Sequence, residues 1–377
     1  MKKILTLTLA MLLIASSFAV SFAVESQTTL AAINVQKVAF GDIETLMLKN
    51  SGTMTMAKNA LDKAEYDYRQ AIKSINTLDT QYKAIDLSSS SGWSTASSLS
   101  SQLVSLRTTR DTLKYSLDNA KINYEKQVKS NVTVVQQQYI ATLAAANNAK
   151  ISDNNLAISE KQLTVMAARL KLGFVSKNQY TTLNNQVSDA RISNIQVEDQ
   201  SKILTEKLEN ALGLSTISAI ALSPIAAFDF SVIDKLVYSD DLTKVMENSV
   251  SIKDAVNNLT SMNNTSKRSY DTSKYQYSVK DLEILLAQTK TSTQEGFKDQ
   301  YTALKTSYAS YLIAVRDLAE KRIDLKNAEA RYKIGMVSLN EVSNLKTEIS
   351  NLELKNSNSH DSLYLSYLQY EAKKLGY

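Results

Sequence analysis

The chain has 377 residues with 8 Gly, 1 Pro, no Cys and a single His, and its formal net charge is +5. Glycine and proline normally supply roughly 7% and 5% of residues, so this chain seldom turns and is expected to form long helices. With one His and no Cys there is no disulfide, no Cys–His nucleophile and no ordinary zinc site, and charges alternating along the helices exclude a nucleic-acid stripe.

The N-terminus reads as an export signal. Lys2 and Lys3 precede an apolar run over residues 4–14, broken only by Thr6 and Thr8. Small residues follow, and Ser17-Phe18-Ala19 and Ser21-Phe22-Ala23 are both suitable cleavage sites, so the mature chain is expected to begin near Val20 or Val24. A spanning helix needs about 20 apolar residues, which argues against an anchor. Loss of Lys2 and Lys3 leaves 41 basic and 38 acidic residues.

The mature chain is organised by a repeat. Residues 168–178 read Ala-Arg-Leu-Lys-Leu-Gly-Phe-Val-Ser-Lys-Asn, and residues 330–340 read Ala-Arg-Tyr-Lys-Ile-Gly-Met-Val-Ser-Leu-Asn, with 7 identities at an offset of 162. The same offset pairs Tyr115-Ser116 with Tyr277-Ser278, and Tyr139 with Tyr301. Leu212-Gly213 closes the first copy and Leu375-Gly376 the second. Each copy therefore predicts a long helix, a glycine turn and a return helix of about 40 residues, roughly 60 Å long. The division is a signal over residues 1–23, a first hairpin repeat over 24–215, a linker over 216–238 and a second repeat over 239–377. The linker is interrupted by Pro224 and Asp229 and is expected to pack on the body.

Both return arms carry a heptad seam. In copy one it runs Tyr180, Leu183, Val187, Ala190, Asn194, Val197, Ser201, Leu204, Leu208, Ala211, and copy two repeats the phase from Val342 to Leu363. Asn194 and Asn356 are equivalent polar exceptions, which either fix register from a buried position or face water. Upstream, copy one holds about 37 extra residues over roughly 76–112, including Ser88 to Ser91, Gly92 and Trp93. Its composition predicts the least helical part of the chain, a loop or a short hairpin. Gly296 falls inside the long helix of copy two as a weak point.

These residues resemble the TolC-like family of outer-membrane efflux proteins. Residues 124–214 look like the family's long hairpin and 277–377 like its second copy: a helix ending Ala-Arg-x-Lys-x-Gly, a Val-Ser step, a return helix and a closing Leu-Gly. The resemblance implies an all-α body in which three protomers form a helical tube. It also implies that hairpin tips meet a periplasmic adaptor protein, that the adaptor links the tube to an inner-membrane transporter, and that a β-barrel with four strands per protomer forms the other end. Here the sequence departs from the family. A spanning strand takes about 9–11 residues, copy two leaves no room for a pair, and copy one offers only the Ser-rich stretch. A tube with few or no strands is expected, in the outer membrane if the source cell has one and otherwise on the wall side.

The candidate sites follow from the turns. Gly173, Phe174, Val175, Ser176 and Gly335, Met336, Val337, Ser338 form two tips whose exposed apolar groups either contact the adaptor or merely staple the turn. Glu341 stands where related ducts carry a lumen acid and is otherwise a solvated surface residue; copy one has Gln179 there. His360 is expected to be exposed, and the tyrosines of the last arm to fill helix grooves with wet hydroxyls. No nucleotide-binding motif occurs, no cofactor is implied and no enzyme is expected. The leading reading is a passive exit tube for small molecules or proteins. The alternative is an exported coiled-coil rod of the cell envelope without a lumen.

Overall fold

The structure, a computed structural model, describes residues 35–214, 220–268 and 273–377, so the signal segment and its cleavage sites lie outside the described residues. The elements in order are β1 (Gln36–Val38), α1 (Ile43–Asn50), α2 (Gly52–Lys83), α3 (Ser90–Lys171), α4 (Lys177–Ala211), β2 (Ile220–Leu222), α5 (Tyr238–Asn248), α6 (Val250–Arg268), α7 (Ser273–Lys333) and α8 (Leu339–Lys374). The 82 residues of α3 extend about 120 Å, and the 61 of α7 about 90 Å.

Each long helix pairs with two shorter ones. The first part of α3 packs on α2 and its last part on α4, while α7 packs on α6 and then on α8. The two halves join along α3, which packs on α6 above the middle and on α8 below it. The helices thus lie in the order α4, α3, α8, α7 below and α2, α3, α6, α7 above. On one side α4 and α2 are left as free edges, and α7 is the free edge on the other. The predicted two-hairpin, all-α class is the observed one.

The seams work as their spacing predicts. Val187, Asn194 and Leu208 of α4, and Val342, Ile349 and Leu363 of α8, are buried. The Asn194 amide donates to Asp153 Oδ1 across the hairpin (2.9 Å), as a register-fixing residue would. The equivalent Asn356 is half-buried, and Val315 stands where Asp153 stands in the first copy. Two ion pairs also follow the repeat, with their charges exchanged. Arg191 bonds Glu160 at 2.9 Å, and at offset 162 Arg322 bonds Glu353 at 2.7 Å. Exposed pairs like these add little stability. Their polarity does oppose an exchange of return arms, since α8 seated in the place of α4 on α3 would bring Glu353 to Glu160, and α4 in the place of α8 on α7 would bring Arg191 to Arg322.

The hairpins hang from a shared middle zone. β1 and β2 pair in parallel, Val38 opposite Leu222. The Tyr139 hydroxyl lies 2.6 Å from the Ser223 carbonyl oxygen, to which it donates, and 3.0 Å from that of Val38. Burial pushes the Tyr139 hydroxyl up to about 12. Around it Phe40, Ile43, Met47, Leu208 and Leu212 form one core; Phe230, Ile233, Phe297, Leu304 and Tyr370 form a second. The described part of the linker supplies Phe230 and Ile233, so it does pack on the body.

Two expectations about single residues are corrected here. Tyr370 is fully buried and its hydroxyl is not wet: it donates to Asp241 Oδ2 at 2.6 Å. Burial acts to raise the Asp241 carboxyl, but the Tyr370 hydrogen bond with Lys244 and Lys374 brings it below the usual range. His360 is half-buried rather than exposed. Its Nδ1 lies 2.9 Å from Asp361 Oδ1, and its ring meets Phe230 and Tyr311. The linker folds back over this stretch of α8, which made a polar run into an inner surface.

Residues 76–112 are also corrected. Apart from a short link over residues 84–89 they are helical, the end of α2 and the start of α3. Ser89 caps α3 by accepting from the Gly92 amide, and a Cβ on Gly92 would sit 1.9 Å from the Asp86 carbonyl oxygen, so only glycine fits. The insertion is therefore a lengthening of the α2–α3 hairpin. The Asn264 amide reaches the Tyr115 hydroxyl from α6, and α3 continues about 20 residues, about 30 Å, beyond the level where α6 ends. Gly296 lies inside α7 as predicted, with open space where a side chain would be.

The return helices end in matching docks. Gly213 (φ +67°) presses on the Asn50 carbonyl at the α1–α2 break, and Gly376 (φ +99°) on the Asn248 carbonyl at the α5–α6 break. Asn50 and Asn248 differ by 198, so copy one carries 36 extra residues upstream of the 162 offset. A Cβ at Gly213 would lie 2.4 Å from the Asn50 oxygen, whereas one at Gly173 meets nothing within 4 Å. The left-handed conformation alone costs an L-residue about 1–2 kcal/mol. Gly173→Ala should lose about that much, and Gly213→Ala clearly more, because backbone must also move. Urea titration of the two variants checks this; equal losses would mean the dock yields freely.

Candidate functional site

The sequence-predicted site residues fall at one end of the molecule. The α3–α4 and α7–α8 hairpins run side by side from the middle zone along the α3–α8 contact, so both turns lie at the same end. Gly173 (φ +76°) and Gly335 (φ +74°) make the reversals. In each, two hydrogen bonds close the end of the long helix: Phe174 N–H to the Arg169 carbonyl and Gly173 N–H to that of Leu170, matched by Met336 to Arg331 and Gly335 to Tyr332.

The return helices start with side-chain caps. The Ser176 hydroxyl accepts from the Gln179 amide, and the Gln179 side chain accepts from the Ser176 N–H at 2.8 Å, a complete capping box. Ser338 accepts from the Glu341 N–H at 3.2 Å. Glu341 thus has a local role at the start of α8, where its charge favours the helix N-terminus, and its side chain is exposed.

The Val-Ser step divides labour between its neighbours. Val175 and Val337 are half-buried and precede the caps, the position of a staple residue. Phe174 and Met336 are 75% and 66% exposed. Sequence reading missed three further apolar side chains on the same end, Leu172, Ile334 and Leu339, all strongly exposed. Their signal was present: each lies within a few residues of a turning glycine, where a rod has no core to receive it. Together the two turns place five large apolar groups in water on one end.

The opposite end also exposes apolar groups among the described residues, Tyr82, Leu87 and Trp93. It is the α2–α3 link over residues 84–89, beyond which Trp93 stands exposed among serines. Among the described residues the two strands are three residues each and pair only with one another. No described helix is long and apolar enough to cross a membrane. No group of three or more His, Asp or Glu among the described residues could hold a metal ion.

The fold is that of the TolC-like outer-membrane channels. It is similar to the CmeC outer membrane channel of Campylobacter jejuni, with a TM-score of 0.64 and 12% identity over 89% of this chain and 85% of that one. It is also similar to the outer membrane protein VceC of Vibrio cholerae, at 0.61 and 12% over 89% and 96%. The open state of the MtrE outer membrane channel of Neisseria gonorrhoeae gives 0.52 and 12% over 93% and 94%. No protein-family model matches the chain, and no curated protein matches it.

Proposed function

We propose that this chain is the duct component of an efflux system, a passive exit tube for small molecules or proteins. The observation that carries this reading is the likeness in fold to outer membrane channels over 85% and 96% of their length. A tube requires closure, and the free edges of the protomer suit it. Ile192, Ile195 and Ile203 are exposed on the face of α4 away from its seam, and Leu312, Ile313 and Ile323 are exposed on α7 at the other edge. Two different apolar edges on one protomer make a head-to-tail contact, which closes into a ring when the rotation allows. A homotrimer is the ring proposed. Its tips, Gly173 to Ser176 and Gly335 to Ser338, meet an extracytoplasmic adaptor, and the adaptor couples the tube to an energised transporter. Glu341 lies near this entrance as a candidate lumen acid. The chain is exported to the cell envelope.

A second reading has its own support. The α2–α3 hairpin is helical where a barrel strand pair would insert, as a wall-side spacer without a lumen would have it. Native mass of the purified mature chain separates the two: the duct gives three copies, and a rod gives one or two.

A further inference from the structure

The two tips, alike in backbone, differ in charge. From Lys161 to Ser188, 28 residues around the first turn, there is no carboxylate and there are four cations, Lys161, Arg169, Lys171 and Lys177. The equivalent stretch around the second turn holds four carboxylates, Asp324, Glu329, Glu341 and Glu348, against Lys326, Arg331, Lys333 and Lys346. There three of the carboxylates are held within the molecule, Glu329 by Lys346 at 3.0 Å and Glu348 and Asp324 by the preceding Lys321 at 3.1 and 3.7 Å, while Lys326, Arg331 and Lys333 have no ion pair among the described residues, so the stretch differs from the first in net charge. Around the first turn the four cations are exposed and have no ion pair among the described residues; the acids that bound the stretch are Glu160, held by Arg191, and Asp189.

Local structure explains only part of this. Arg169 and Lys171 lie in the last turn of α3, where cations suit the carbonyl end of a helix, but Arg331 and Lys333 satisfy the same need at the second tip. Lys177 stands at the start of α4, where a cation is disfavoured, and its equivalent is Leu339. Lys161 lies ten residues before Lys171, about 15 Å up the hairpin.

We infer that the first tip, with Phe174 and Leu172 at its end and Lys161, Arg169, Lys171 and Lys177 exposed around its two helices, docks an acidic helical segment of the partner protein, while the second tip contributes apolar contact alone. The inference rests on the proposed docking role of the tips. The staggering of the cations favours a protein over a bilayer. A membrane surface is felt only within a Debye length, so it rewards cations clustered at one depth, whereas charges spread over about 15 Å of rod suit a helix lying alongside it. Complementary charge would speed encounter and set which tip meets which partner surface.

The test uses the full chain in its own cells, with benzoylphenylalanine replacing Phe174 in one strain and Met336 in another. The photo-captured peptide is sequenced. Position 174 should capture a protein segment with an excess of Asp and Glu. Its yield should fall at least fivefold when Lys171→Glu and Lys177→Glu are added, while Arg331→Glu with Lys333→Glu leaves capture at 336 within twofold. A neutral or basic captured segment, an unchanged yield on charge reversal, or a phospholipid adduct would overturn the inference. If neither position captured another protein, the docking role itself would fall. Capture at both positions with no charge dependence would spare the docking role and remove only the acidic partner.

Discussion

Replacing Phe174 and Met336 together with serine should abolish partner docking and leave the protein folded. Both side chains are mostly in water already, so the fold loses almost nothing; the glycine turns, the Ser176 and Ser338 caps and the seams of α4 and α8 are untouched. A docked partner would lose the burial of two large apolar groups per protomer, each worth about 1.5–3 kcal/mol. That corresponds to a fall in affinity of about a hundredfold or more. Helical content and urea midpoint should stay within error of the parent, while binding of the purified adaptor hairpin becomes undetectable at micromolar concentration. Unchanged binding would reduce the tips to simple turns. Unfolding would make the two side chains staples, although the half-buried Val175 and Val337 stand at that position.

Charging the α4 edge should have an equally large effect on assembly. Ile192, Ile195 and Ile203 lie on one face of α4, opposite its seam with α3, and they are about half exposed in the single protomer. Burying three such groups in a neighbour contributes roughly 5 kcal/mol or more to each interface. Changing all three to glutamate both removes that term and buries charge, so the ring should dissociate to protomers. The hairpins should persist, because Val187, Asn194 and Leu208 hold α4 to α3 from the other side. Light scattering of the triple variant beside the parent reads the outcome directly. A variant that keeps the parent mass would show that α4 is not an assembly edge.

The tips and seams were legible in the sequence because they are local and repeated. A glycine turn needs one residue type at one place, and a heptad seam needs only spacing, so the 162 offset exposed both. The α2–α3 hairpin was obscured by composition. Its serines, Gly92 and Trp93 are poor helix signals, yet Ala96, Leu103 and Leu117 are buried at multiples of seven residues, a seam that packing enforces over propensity. The exchanged ion pairs escaped for a different reason. A search for identical residues scores Glu160 against Arg322 as a mismatch, although the contact is the same. Tertiary closure accounts for the remainder. Tyr370 meets Asp241 across 129 positions, and His360 is covered by Phe230 of the linker, contacts that no local pattern announces. At the candidate site, the turning residues were readable and the charge difference between the tips was readable too. Their meaning depends on the fold, which brings both turns to one end.

A duct requires that this chain close into a tube. End-on electron micrographs of the purified assembly test it most directly. A threefold ring of helices around an open centre, its wall built of six hairpins, is the expected result. A solid rod, a filament, or particles with no central opening would contradict it.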